Sequence, residues 1–133
     1  MNIAEKKQRA AIDQAMAKAG EDIKDAGKTF TLKFDWEAYD AIDWAKIGRD
    51  KLDYYSNELN NIASLGTGLN KLCADADYKE ALAAMDTIVY RSGNDDSIRV
   101  RAKVDGTTLT IDNYTFGSTR QASDYEYAAR SAF

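Results

Sequence analysis

Hydrophobic residues recur along this chain with two different periods, and the switches between them mark out its elements. From Ile3 to Ala26, the residues Ile12, Met16, Ala19 and Ile23 share one helical face while lysines and acids occupy the rest, which predicts an amphipathic helix. Gly20 weakens that helix by about 1 kcal/mol relative to alanine, and Gly27 is a suitable stop just beyond Ala26. Phe30, Leu32, Phe34 and Trp36 then alternate with polar residues, the period of a half-buried strand over about residues 29–36. Helical spacing returns from Glu37 to about Ser64. There Ala38, Ala41, Ala45, Gly48, Leu52, Tyr55, Leu59 and Ile62 form a heptad-like seam, carried either by one long second helix or by two divided at Gly48. Gly66-Thr67-Gly68 reads as a break.

Beyond the break, Leu69, Leu72, Cys73 and Ala76 suggest a short helical piece, and Asp77 with Glu80 is a capping pair for another. Tyr78, Leu82, Met85 and Val89 are its expected buried face, although Thr87-Ile88-Val89-Tyr90 has the composition of a strand and propensity leaves both states open. After the turn-rich stretch Ser92-Gly93-Asn94-Asp95-Asp96, the residues Ile98, Val100, Ala102 and Val104 alternate toward Asp105-Gly106, and Leu109 and Ile111 alternate away from it. This predicts a hairpin over about residues 97–114 with a type I′ turn at Asp105-Gly106. Ala102 then faces Leu109, Val100 faces Ile111 and Arg99 faces Asp112. Ser123 with Glu126 is a second capping signature, opening a terminal helix with Tyr127, Ala128 and Phe133 as docking groups. The expected fold is α+β: a small antiparallel sheet, built from the first strand and the hairpin, with helices packed on one face. The expected organisation is a single globular domain over residues 1–133.

Composition narrows the chemistry. The chain has 133 residues, no histidine, no proline and one cysteine. That composition excludes histidine-based triads, imidazole metal sites and an intrachain disulfide. No stretch approaches the ~20 apolar residues of a membrane helix, and the N-terminus lacks a secretory pattern, so a cytoplasmic, reducing location is expected.

Several residue groups invite a catalytic or metal-binding reading. Asp40 and Asp43 lie three apart and Asp95 and Asp96 are adjacent, so either pair could hold a divalent cation or divide acid and base roles. Exposed helix acids and Asp-rich turns are the commoner meaning of both patterns. The run from Leu65 to Lys71 has the glycines, hydroxyl and lysine of a phosphate-cradling loop, but its spacing matches neither nucleotide fingerprint, and a helix rather than a strand precedes it. Cys73 sits among Leu69, Leu72 and Ala76 with no base to form its thiolate, so an inert, packed thiol is expected. No catalytic residue, cofactor or metal is assigned.

Charge distribution says more than the net charge of −4. Residues 35–96 hold thirteen acids and six bases. Asp40, Asp43, Asp50, Asn57 and Glu58 fall near one stripe of the expected second helix, Tyr54 shares that side and Trp44 flanks it. Acids mixed with exposed aromatics suit a protein interface, and a negative array can occupy a cationic groove that otherwise takes phosphate. Arg99, Arg101 and Lys103 alternate on the outer face of the hairpin, where a basic ribbon can meet nucleic acid or simply discourage edge pairing.

The leading expectation is a small acidic, non-enzymatic interaction protein. In its narrower form it is an inhibitor of the phage or mobile-element kind that docks on the nucleic-acid-binding surface of a host complex. Its contacts would be Asp40, Asp43, Trp44, Asp50, Tyr54 and Glu58, its partner a protein with a basic surface, with no membrane involved and direct nucleic-acid binding disfavoured. The alternatives are a nucleic-acid-binding module using Arg99, Arg101 and Lys103, and a metal-dependent hydrolase using paired carboxylates.

Overall fold

The computed structural model describes residues 1–48, 50–93, 99–113 and 119–133. Its elements are α1 (Ile3–Asp22), β1 (Thr31–Phe34), α2 (Trp36–Asp40), α3 (Trp44–Ile47), α4 (Tyr55–Lys71), α5 (Ala76–Ala83), β2 (Thr87–Ser92), β3 (Val100–Asp105), β4 (Thr108–Asn113) and α6 (Ala122–Ala132). The class is α+β, with helices packed on a four-stranded sheet.

The sheet is mixed rather than antiparallel. Its order is β1-β2-β4-β3, in which β1 with β2 and β2 with β4 run parallel and only β3 with β4 is antiparallel. The reason lies in the connections: parallel partners need a long crossover, and the helices from α2 to α5 supply one between β1 and β2. Thr87-Ile88-Val89-Tyr90, open from composition, is therefore strand, and it occupies the second place in the sheet between two parallel neighbours. Ile88, Tyr90 and Ser92 on β2 pair with Leu109, Ile111 and Asn113 on β4, and all six are buried on the helix-covered face.

The hairpin forms, with its turn one residue later than expected. Asp105 pairs with Thr108, so the two-residue loop is Gly106-Thr107, and Gly106 alone takes a positive φ of 61°. One positive φ at the first loop position is the arrangement of a type II′ turn, not the type I′ expected from Asp-Gly. Ala102 faces Ile111, Val104 faces Leu109 and Arg101 faces Asp112. The shift preserves which face each side chain occupies, because each residue's partner moves by two positions.

The long second helix does not form; the chain does break at Gly48, and also before Asp43 and after Asp50. Asp35, Asp43 and Asp50 each cap a separate short turn, accepting from the backbone N–H of Ala38 (3.0 Å), Lys46 (3.1 Å) and Leu52 (3.0 Å). Aspartate competes for local backbone donors more effectively than it supports a helix interior, and Gly48 at φ 75° closes α3. Gly66-Thr67-Gly68, expected as a break, lies inside the continuous α4. Both glycines are contact points: a Cβ on Gly66 would stand 3.0 Å from the Ala19 backbone, and one on Gly68 would stand 2.3 Å from the Ala122 carbonyl oxygen. They let α1 and α6 approach α4 closely. Asp75, rather than Asp77, caps α5, and a capping box of Gln121 with Asp124 opens α6, two residues before the expected pair. Tyr125 with Ala128 and Ala129 faces the core, whereas Tyr127 is 65% exposed.

Candidate functional site

The expected docking residues lie between β1 and α4, except Glu58, which is within α4, and they divide into three groups. Tyr39 organises the segment. It is fully buried, with the rings of Phe34, Trp36, Trp44 and Tyr55 at centroid distances of 5.6, 5.9, 5.1 and 5.6 Å, and its hydroxyl donates to the Lys51 carbonyl at 3.0 Å. Two of these rings arrive from the start of a short turn: Asp35-Trp36 opens α2 and Asp43-Trp44 opens α3, so an aspartate cap places a tryptophan against Tyr39 twice.

Asp43, Trp44, Asp50 and Tyr54 stay together on the surface. Trp44 donates its indole N–H to the Tyr39 carbonyl at 3.2 Å and packs against Tyr54, ring centroids 5.4 Å apart, with both rings partly exposed. Asp43 and Asp50 are exposed on either side of α3. A shallow depression of about 470 Å³ is lined here by Trp44, Ala45, Gly48, Asp50 and Lys51.

Asp40 is exposed and belongs to an ion network with residues of α1 and the turn before α4. Arg9 donates to both its oxygens, at 3.0 Å for Oδ2 and closer still for Oδ1, and the Lys51 ammonium stands 3.6 Å away. The same two cations hold Glu5, Lys51 at 2.7 Å and Arg9 at 3.1 Å, while the Arg9 guanidinium lies over the Trp36 ring at 4.4 Å. Hydrogen bonding from Lys51, then from Arg9, keeps the Glu5 carboxyl below its ordinary pKa, and Arg9 does the same for Asp40. This network ties α1 to α2 and to the turn before α4.

Glu58 leaves the surface altogether, which removes it from any docking face. It is 0% exposed, on a face of α4 shared with Tyr55, Asn61, Ile62 and Leu65. It accepts from the hydroxyls of Tyr90 (2.7 Å) and Ser92 (2.8 Å). Asn113 donates to the Tyr90 oxygen (3.2 Å), and Arg120 in turn donates to Asn113 (2.8 Å) and, through its backbone, to Asn61 (2.8 Å). Burial raises the Glu58 carboxyl above its ordinary value, against the opposing pull of the two hydroxyl donors. This buried polar chain was not read from the sequence, although the spacing 55, 58, 62, 65 places Glu58 on the buried stripe.

The remaining candidates are scattered. Arg99, Arg101 and Lys103 are exposed, the last two on the outer strand β3. Asp95 and Asp96 lie outside the described residues. Among the described residues no three His, Cys, Asp or Glu side chains gather as a metal site, and no helix is long and apolar enough to cross a membrane. Cys73 is half-buried, and burial followed by the nearby Asp25 raises its thiol pKa. The stretch from Leu65 to Lys71 is helical and forms no anion-binding loop.

Fold and site together define an α+β protein with helices on one face of a mixed sheet and an acidic, aromatic surface segment before α4. Comparison of the chain with protein-family models, curated proteins and solved structures returns no match.

Proposed function

We propose that this is a non-enzymatic interaction protein that docks the surface around Asp43, Trp44, Asp50 and Tyr54 against a cationic surface of a partner protein. The observation that carries the reading is the half-exposed Trp44–Tyr54 pair, 5.4 Å between centroids, flanked by exposed carboxylates. Tryptophan and tyrosine dominate binding energy at interface centres, and a polar rim excludes water around them. The rings are preorganised by Tyr39 and the two aspartate caps, so little side-chain freedom is lost on binding. Carboxylates beside them steer the approach to a basic patch. A groove that ordinarily holds phosphates meets the same electrostatic requirement, which makes inhibition by occupation of a nucleic-acid-binding surface the functional form of this docking.

The test exploits the caps. Asparagine caps a helix about as well as aspartate, so Asp43→Asn with Asp50→Asn removes two charges while keeping both turns. Combined with Tyr54→Ala, it should abolish capture of a protein partner from nuclease-treated extract of the source cells, with an unchanged circular dichroism spectrum. Wild-type capture should also weaken with added salt. Equal recovery of the same partner by the triple variant would refute the proposal.

A further inference from the structure

The helices cover one face of the sheet, and the other face carries a surface of opposite character to the acidic segment. Strand register places its side chains in rows across the strands. Lys33, Val89, Thr110 and Lys103 form one row, and Arg91, Asp112 and Arg101 form the next. A third runs through Thr31, Thr87, Thr108 and Asp105. Described positions on this face thus include four bases and two acids, in a chain whose net charge is −4. Arg91 binds Asp112 at 3.0 Å, and Lys33, Arg101 and Lys103 are exposed.

We propose that this open face binds the phosphate backbone of a nucleic-acid duplex. Cations interspersed with threonine hydroxyls are the side chains that contact phosphates. Val89 is the one aliphatic side chain on these rows and is only partly exposed, so the face lacks the apolar anchors a protein interface needs. No aromatic ring stands among these positions either, so the stacking platform of a single-strand site is missing. Lys33 and Lys103 lie three strand spacings apart, about 14 Å at ~4.8 Å each, close to the ~12 Å width of a major groove. The two lysines can therefore reach phosphates on opposite walls. Binding by this route is independent of base sequence.

Fluorescence anisotropy of a short labelled DNA duplex with the full chain tests the inference. Three to four phosphate contacts predict a dissociation constant in the 10⁻⁴ to 10⁻⁶ M range, weakening about 40- to 150-fold between ~50 and ~200 mM salt. Lys33→Glu with Lys103→Glu should abolish binding, and Asp43→Asn with Asp50→Asn should retain it. If the reversal variant does not fold, Lys33→Gln and Lys103→Gln taken singly should each lower the salt slope by about 1. Three results would overturn the proposal. They are no binding at about 100 µM protein in low salt, equal binding by the lysine variants, or tighter binding of polyglutamate than of the duplex at matched charge and salt, which would assign the face to an acidic protein.

Discussion

Replacing Glu58 with leucine removes the acceptor of two buried hydroxyls. Tyr90 and Ser92 donate to the carboxylate at 2.7 and 2.8 Å, and both residues are 0% exposed. A buried donor left without a partner costs about 1–3 kcal/mol, so the two together cost about 2–6 kcal/mol. Leucine fills nearly the same volume, which keeps any added cavity penalty small. At roughly 2.1 cal/mol/K per residue, unfolding of this chain has an entropy near 0.3 kcal/mol/K, so the midpoint should fall by about 7–20 °C. Thermal and urea unfolding followed by tryptophan fluorescence, with Trp36 and Trp44 as reporters, measures the loss. Adding Ser92→Ala to Glu58→Leu should restore about 1 kcal/mol or more by deleting one stranded donor. A leucine variant within about 0.5 kcal/mol of wild type would refute the dependence of the two hydroxyls on this carboxylate. The pH limb is equally specific. Burial raises the folded-state pKa of Glu58 above its unfolded value, so the native state binds more protons than the unfolded chain between the two values. Stability attributable to this group therefore falls as pH rises through that window. The difference in stability between Glu58→Gln and wild type should grow in the variant's favour across it.

Three further outcomes are expected. Gly68→Ala should destabilise by about 2 kcal/mol despite a gain of ~1 in helix propensity, because its methyl group would meet the Ala122 carbonyl at 2.3 Å; a chemical denaturation midpoint at or above wild type would contradict the close α4–α6 approach. Arg9→Met should reduce the loss of stability in acid, since Glu5 and Asp40 have lowered folded-state pKa values and contribute stability that disappears as pH falls below about 4. Urea titrations over a pH series check this, and an acid limb identical to wild type would count against the network. Cys73 should alkylate slowly at neutral pH in the folded protein, because its thiol is half-buried with a raised pKa; labelling at the rate of an unhindered low-pKa thiol would overturn that.

The buried site and the surface site differ in how far they could be read in advance. Helical spacing groups Asp43, Trp44, Asp50 and Tyr54, whether the second helix is continuous or divided at Gly48; the structure brings them together by another route, three capped turns wrapped on Tyr39. Glu58 reads as a surface acid because helical spacing sets it near the stripe of Asp40, Asp43 and Asp50, away from the heptad seam. Its partners Tyr90 and Ser92 come from a strand more than thirty residues away, and no local pattern announces such pairing. The two glycines of α4 depart from the break expected of them for a related reason. Glycine marks a turn when the backbone needs freedom, but within a helix it marks where another backbone comes close, and the neighbour belongs to a distant element.

Sequence alone determined the features that depend on neighbours in the chain. These are the face of α1, the existence of α6, the alternation of β1, β3 and β4, the hairpin and the α+β class, because period and turn chemistry act within a few residues. Tertiary structure decided the rest: the parallel insertion of β2, the short turns wrapped on Tyr39 in place of two regular helical segments, the glycine contacts of α4 and the burial of Glu58. In each case the deciding free energy comes from partners remote in sequence. Side-chain burial and long-range hydrogen bonds outweigh local propensities worth only tenths of a kcal/mol per residue.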